Sequence, residues 1–391
     1  MPDLDLVLHG ATGFIGRLAA DHLAHHAPRG LRWALAGRDA DRLDRLVRSL
    51  AGQPAAPAAA IVAGFDRPET LRRMAERTAV VVSCAGPFDA LGPALVDACV
   101  DAGADYADIA PEPRFVERLI GRLHGRAEAR GRRVLPACGF QSLPFDLGVR
   151  HTIEALPEGV PLKVEGFLRC RANVTGGLWH AAVKAFRAER HRVGGGGRPT
   201  GRRVRAIRPH ARWEREIRGW ACPLPTLDPS IVLRSARLDA RYGPDFRYGH
   251  YIRIHRLPTL VGSVVGTGTL FTLAQARPTR ELLLRVREPG MGPTEEQRER
   301  GWFRITFVGR GGGRVAVTEA TGGDPTSEET ARMIAEVGLA LVARDARLTD
   351  RRGVLTPATA LTSVMRERLN GIGLGFRVIR KGRRRGAFGR R

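Results

Sequence analysis

The 391-residue chain reads as α/β, with a doubly wound parallel sheet over about the first 150 residues and an α+β unit containing an antiparallel sheet after it. Three observations predict this. Short apolar runs alternate with helix-period segments from Leu4 to Cys138, a pace that implies parallel strands joined by right-handed crossovers. A glycine-rich turn joins the first apolar run to the first helical segment. Past Gly148 the alternation stops, and the runs 302–308 and 314–320 flank Gly311-Gly312-Gly313, a hairpin signature.

The first strand covers residues 4–9 and meets Gly10-Ala11-Thr12-Gly13-Phe14-Ile15-Gly16, which opens a helix running to about His26. Strand, glycine turn and helix in that order are the dinucleotide-binding arrangement of a Rossmann-type domain. Gly10 allows the tight turn, Gly13 lets the main chain approach a pyrophosphate, and Gly16 lets the helix pack closely on the strand. Thr12, Phe14 and Ile15 complete the phosphate turn, where free amides and the positive end of the helix dipole would hold the ligand.

The second strand, residues 31–37, ends in Arg38-Asp39, where the acidic residue that holds an NAD ribose is expected. Arg38 stands there first. A guanidinium pairs with an adenosine 2′-phosphate, so the expected cofactor is NADP(H), while Asp39 can also cap a helix over residues 40–50. A third strand, 59–64, leads to Asp66, a place for an adenine contact or a helix cap. The fourth, 78–83, is continuously apolar, as when both faces are covered, and runs into Cys84-Ala85-Gly86-Pro87-Phe88. Small residues there would let the loop pass close to the ribose and nicotinamide. A helix over 91–102, a strand over 105–108, a helix over 113–130 and a strand over 133–138 complete this part.

Further on, 161–170 reads as a strand and 177–189 as a helix, and 191–212, with Gly194-Gly195-Gly196-Gly197, has the composition of a flexible connection. Thr326 with Glu329 makes a capping box for a helix to about Arg344, and helices continue over 356–369. The expected units are 1–150 for NADP(H), 151–345 for substrate and interactions, 346–379 as a helix and strand packing back on the first unit, and a basic tail 380–391.

Lys+Arg of 64 against Asp+Glu of 40 gives a formal charge of +24, a field that attracts polyanions. Lysine occurs only at Lys163, Lys184 and Lys381, and no zinc spacing, helix-turn-helix or RNP-like aromatic motif accompanies the arginines. Nucleic acid is therefore not the expected main partner. The five cysteines are scattered without C-x-x-C spacing, so neither a metal site nor a disulfide framework is expected, and a reducing cytoplasm is. No secretory leader is read at the N-terminus. The uncharged stretch 257–276 holds Pro258, Gly262, Gly266 and Gly268, which argues against a spanning helix and leaves a buried segment or a surface for lipid or a partner. With the basic tail it allows peripheral contact with the inner face of the membrane.

Taken together, Gly10-Ala11-Thr12-Gly13-Phe14-Ile15-Gly16-Arg17, Ala34-Leu35-Ala36-Gly37-Arg38, Gly86-Pro87-Phe88 and Ala137-Cys138-Gly139-Phe140-Gln141-Ser142-Leu143-Pro144-Phe145-Asp146 resemble the saccharopine dehydrogenase-like oxidoreductases. Tyr242-Gly243-Pro244-Asp245-Phe246-Arg247-Tyr248, Gly301-Trp302-Phe303, Gly322-Gly323-Asp324-Pro325 and Leu355-Thr356-Pro357-Ala358 are similar in particular to the branch that includes bacterial trans-acting enoyl reductases. The resemblance implies NADPH-dependent reduction of a carbon–carbon double bond in an acyl chain, free or on a carrier protein, in company with a polyketide or fatty-acid synthase. The chain departs from the family at Gln141, where Asp is common, and at Ala110-Pro111-Glu112, in place of a Thr-Gly-Glu-type turn.

A proton donor is also needed. The Tyr-x-x-x-Lys pair of short-chain dehydrogenases is excluded, because Gly159, His180 and Arg377 stand four before the three lysines. The remaining candidates are Tyr248, from the family-like block, Cys138, at a strand end near the cofactor, and Tyr251 and His180. No Ser-His-Asp elbow or metal-binding helix suggests hydrolysis. Two other readings stand beside the enoyl reductase: an imine-forming amino-acid dehydrogenase, and a non-catalytic NADP-binding protein that associates with lipid or a synthase through 257–276.

Overall fold

The computed structural model describes residues 2–172, 175, 179, 201–224, 228–254, 272, 273, 275, 277–285 and 292–383. Its first half runs Leu4–His9 (β1), Phe14–His26 (α1), Trp33–Gly37 (β2), Ala40–Leu50 (α2), Ala59–Val62 (β3), Pro68–Glu76 (α3), Thr78–Ser83 (β4), Phe88–Ala102 (α4), Asp105–Asp108 (β5), Pro113–Ala129 (α5), Arg133–Leu135 (β6) and Leu143–Glu154 (α6). The second half adds Leu162–Arg171 (β7), Arg203–Ala206 (β8), Arg212–Glu214 (β9), Gly219–Pro223 (β10), Asp228–Leu238 (α7), Asp245–Ile254 (β11), Arg277–Arg285 (α8), Glu295–Glu299 (α9), Trp302–Gly311 (β12) and Arg314–Gly322 (β13). Glu328–Ala343 (α10), Gly353–Val354 (β14), Pro357–Ala360 (α11), Thr362–Gly371 (α12) and Gly375–Arg383 (β15) follow.

The first sheet is parallel throughout, in the order β14-β6-β5-β4-β1-β2-β3. Its inner strands β2 and β4 read as nearly unbroken apolar runs because both faces are covered. Leu6, Leu8, Leu35, Val80 and Val82 point into one core with α1 and α10, while Val7, Ala34, Val81 and Tyr106 point into the other with α3, α4 and α5. Helix α10 comes from late in the chain to lie on α1 and across β1, β4 and β5. It sits close, since a Cβ on Gly338 would lie 2.7 Å from Val82.

The second sheet runs β15-β13-β12-β7-β11-β10-β9, with β8 on the first half of β11. The expected antiparallel hairpin is β12–β13, turning at Gly311. The sheet is widened into a mixed one by the parallel pair β7–β11, which joins two strands far apart in sequence. Helix α6 leaves the first sheet and packs on β7, β12 and β13, so it is the bridge between the two. In its first turn Asp146 accepts hydrogen bonds from Ser235 Oγ (2.6 Å) and the Ala358 amide (2.8 Å), tying α6 to α7 and α11.

Two local expectations are corrected. The α10 cap is not a Thr326–Glu329 box: Asp324 accepts from the Ser327 amide (3.1 Å) and the Glu328 amide (3.4 Å), and Glu329 accepts from the Gly323 amide (2.7 Å). A carboxylate two residues earlier outcompetes the hydroxyl, because a charged acceptor makes the stronger bond. Arg380, Lys381, Gly382 and Arg383 are not tail but strand, paired with β13. The predicted helix 177–189 (apart from Trp179), the run Gly194–Gly197, most of 257–276, and residues 384–391 lie outside the described residues. Among those described, no helix is long and apolar enough to cross a membrane, and no group of three metal-ligating side chains forms.

Candidate functional site

The carboxyl ends of β1 and β4 diverge at the point where the strand order reverses, and the glycine turn lies there. Gly10 has φ of 78°, and a Cβ on it would lie 2.8 Å from Ala85 of the β4 loop, so this position needs glycine on both counts. The Gly13 amide donates to Gly10 O (3.0 Å), and a Cβ on Gly16 would overlap that same oxygen. Gly13 caps α1 without a side chain, and the first helical bond from this cap runs from the Arg17 amide to Gly13 O, which leaves the amides of Phe14, Ile15 and Gly16 at a bare helix start. This is an anion cradle built of main chain, and it fits a dinucleotide pyrophosphate. The far half of the chain reaches it: a Cβ on Gly292 would strike the Phe14 ring, and the Arg298 guanidinium, held by Glu328 at 3.1 Å, lies 6.0 Å over that ring.

At the tip of β2 Arg38 is exposed, with no ion pair among the described residues. Asp39 is committed elsewhere: its carboxylate accepts from the Arg42 amide (3.0 Å), which caps α2. Arg38 and Asp66 meet around Gly64, where an added Cβ would touch both, and Thr12 Oγ1 approaches Gly37. Asp66 does not cap α3, whose cap residue is Arg67; it is left at the surface beside Arg38. Arg38→Ala should therefore weaken NADPH binding about tenfold or more and NADH hardly at all, measured by fluorescence titration of both coenzymes. Equal losses would remove the 2′-phosphate role.

The β4 loop continues the same edge. The Cys84 amide donates to His9 O (2.9 Å), which pins Cys84-Ala85 beside the glycine turn, and the Gly86–Pro87 bond is cis. Burial and nearby Asp108 push the Cys84 thiol up to about 12, so it is no thiolate at neutral pH.

Beneath this loop lie two carboxyl groups that were not singled out from the sequence as proton carriers. Asp108 closes β5, fully buried, and accepts from the Ala110 amide (2.8 Å) and the Ala137 amide (2.9 Å). Burial raises it to about 6. Glu112 accepts from the Phe88 amide (3.3 Å) through Oε1, while Oε2 is enclosed without a hydrogen bond. Burial and then the charge of Asp108 raise Glu112 to about 7. The available signal was chemical: acids at and just after the end of a buried strand, on the same sheet edge as the Cys84–Pro87 loop.

The donors favoured from the sequence sit deeper. Cys138 is fully buried, its Sγ 3.3 Å from Leu135 O, and burial pushes its thiol well up. Tyr248 is 1% exposed in β11, on the face toward α6, with its hydroxyl 3.2 Å from His250 Nδ1. His250, which sequence reasoning missed, packs against Phe145 at 4.5 Å, and burial holds it down at about 3, so it stays neutral. Tyr251 points to the opposite face and stacks on Phe167. His180 lies outside the described residues.

Residues 6–135 match the model of the saccharopine dehydrogenase NADP-binding domain. The whole chain is 35% identical to a trans-acting enoyl reductase of Mycobacterium tuberculosis over 410 residues, covering 95% of this chain and 97% of that protein. The chain belongs to the trans-acting enoyl reductase family. Another member, from Mycobacterium ulcerans, is 34% identical over 94% of this chain and 96% of its own length. Among solved structures, apo saccharopine dehydrogenase (L-Glu forming) of Saccharomyces cerevisiae superposes with a TM-score of 0.56 at 12% identity, covering 96% of this chain and all of that one, which shows a shared fold. This member of the trans-acting enoyl reductase family is thus an NADP(H)-dependent oxidoreductase in the saccharopine dehydrogenase fold.

Proposed function

We propose that the chain reduces the carbon–carbon double bond of an enoyl thioester presented by a separate polyketide or fatty-acid synthase, in the cytoplasm. The observation that carries this reading is the likeness, along nearly the full length, to proteins named trans-acting enoyl reductases. Bound NADPH supplies a hydride to the β-carbon of such a substrate. The Phe14, Ile15 and Gly16 amides grip the pyrophosphate, Arg38 takes the 2′-phosphate, Thr12 and Asp66 line the adenosine side, and Cys84-Ala85-Gly86-Pro87 borders the nicotinamide side.

The α-carbon must then gain a proton, and we assign that proton to Glu112. Its carboxyl is about half protonated near neutrality, one oxygen is fixed by Phe88, and the other has no competing partner. Burial and then the charge of Asp108 keep Glu112 protonated, and the Asp108 bonds to Ala110 and Ala137 hold the loop that carries it. Tyr248 and Cys138, enclosed as they are, act in this reading as the packing behind the site.

NADPH oxidation against trans-2-enoyl thioesters, 2-oxo acids with amines, and no substrate tests the reaction class. Turnover of the first alone is expected; turnover of the second would overturn the reading. In the same assay kcat should hold at low pH and fall as pH rises through about 7, because the proton-bearing form of Glu112 is lost. Glu112→Gln should lower kcat by about a hundredfold or more and remove that limb. A Glu112→Gln enzyme with the parent rate and pH profile would take the proton away from this residue.

A further inference from the structure

The face of the second sheet turned away from α6 carries alternate residues of β7, β11 and β12, and its two ends differ in charge balance. At one end Glu165, buried, pairs with Lys163 (3.0 Å), Arg212 (2.6 Å) and Arg310 (3.0 Å), and Glu214 adds a contact to Arg212 (3.3 Å). At the other end the register sets Arg304 directly opposite Arg169. One strand over, Ile252 pairs with Leu168, which brings Arg253 beside Arg169.

Among the described residues this row of three guanidinium groups has one carboxylate within ion-pair reach, and that one is shared. Arg304 reaches Glu319 at 4.0 Å, and Glu319 is already paired with Arg377 at 3.1 Å. Arg169 and Arg253 make no ion pair among the described residues; Arg169 lies 5.2 Å over the Trp302 ring, and Arg253 Nε is enclosed without a hydrogen bond. Burial first, then the charges of Arg169 and Arg304, press the Arg253 guanidinium below its ordinary range against the opposing charge of Glu319. Like charges set side by side on neighbouring strands cost stability, so the row stands unbalanced among the described residues.

We propose that the arginine row Arg304, Arg169 and Arg253 docks an acidic helix of the protein that presents the acyl substrate. Neighbouring strands lie about 4.8 Å apart, and carboxylates one helical turn apart are separated by about 5.4 Å. A helix laid across the strands therefore offers one acid to each arginine. The row also stands at the right end of the sheet: Phe303, adjacent to Arg304 but on the other face, meets Phe140 at 4.8 Å, two residues past Cys138. Charge of this kind chiefly speeds and orients encounter.

The inference rests on the proposed delivery of substrate by a separate protein, and the test separates the two. The double variant Arg169→Gln/Arg304→Gln, which spares the half-buried Arg253, is compared with the parent on a trans-2-enoyl thioester carried by an acidic acyl carrier protein and on the same acyl group carried by N-acetylcysteamine. Expected is a fall of about tenfold or more in kcat/KM for the carrier-bound substrate, with the N-acetylcysteamine value and the NADPH Kd unchanged. Anisotropy of the labelled carrier protein should show matching weakening, and a steep salt dependence in the parent that the variant loses. Equal effects on both substrates, or carrier binding that is the same in parent and variant or absent from both, would overturn the docking row. Absence of turnover on either thioester, with the binding difference intact, would instead strike the reaction assigned above.

Discussion

Gly16→Val is expected to raise the Kd for NADPH at least about a hundredfold while the second sheet stays folded. A Cβ at Gly16 overlaps the Gly10 carbonyl oxygen and comes 2.8 Å from Ala11 Cα, both main-chain atoms that cannot rotate aside. Helix α1 must therefore back away from the turn, and its bare amides at Phe14 and Ile15 lose their convergence on one point. Two charge-assisted bonds at about 1.5 kcal/mol each amount to about 3 kcal/mol, or about 150-fold in affinity. Gly121→Ala in α5 is the control, since an added Cβ there meets nothing within 4 Å. It should bind NADPH as the parent does. A valine at position 16 without effect on binding would mean that the coenzyme is held elsewhere.

The second large effect concerns the joint between the halves. Asp146→Ala should lower unfolding free energy by about 3 kcal/mol, because it strands the Ser235 hydroxyl and the Ala358 amide in a dry interior, each worth about 1–3 kcal/mol. The loss is partly offset at Ser235, which also contacts Thr356 Oγ1 (2.6 Å) and Ile231 O. Burial raises Asp146 itself to about 7. A carboxyl raised in the folded state contributes stability that is complete below the ordinary range of about 4 and is lost as pH climbs through about 7. Asp146→Asn, which keeps the shape and never ionises, should therefore cost most in acid and little or nothing above pH of about 8. Urea midpoints of the three proteins across that range check both statements, and a gap between Asp146→Asn and parent that widens with pH would contradict them.

Much of the first sheet was legible because its strands carry local signals that agree with the global pattern. The runs at Thr78–Ser83 and Asp105–Asp108, and the helix at Ala40–Leu50, are bounded in the structure as in the sequence reading. The second sheet was less so. Its β7–β11 pairing is parallel and spans a long interval, β11 was legible only as the motif from Tyr242 to Tyr248, and α10 serves the first sheet although it follows the second-sheet hairpin. No local periodicity encodes which of two sheets a helix will cover. Family-like blocks told where something mattered but not what: Asp146 and the Thr356–Ala358 turn are marks of one structural joint, and Tyr248 belongs to a buried Tyr–His contact. Asp108 and Glu112 could have been noticed as acids at a strand tip, yet their raised proton affinity comes from burial, which outweighs the amide hydrogen bonds of Phe88, Ala110 and Ala137 and exists only once the chain has folded.

The most direct test of the central claim follows the hydrogen. With NADPH carrying deuterium at both C4 positions, a trans-2-enoyl thioester and the purified protein in ordinary water, mass spectrometry and NMR of the saturated product should find one deuterium at the β-carbon and a solvent-derived hydrogen at the α-carbon. A product without deuterium, deuterium on the carbonyl carbon, or no product while NADPH is consumed would contradict the account.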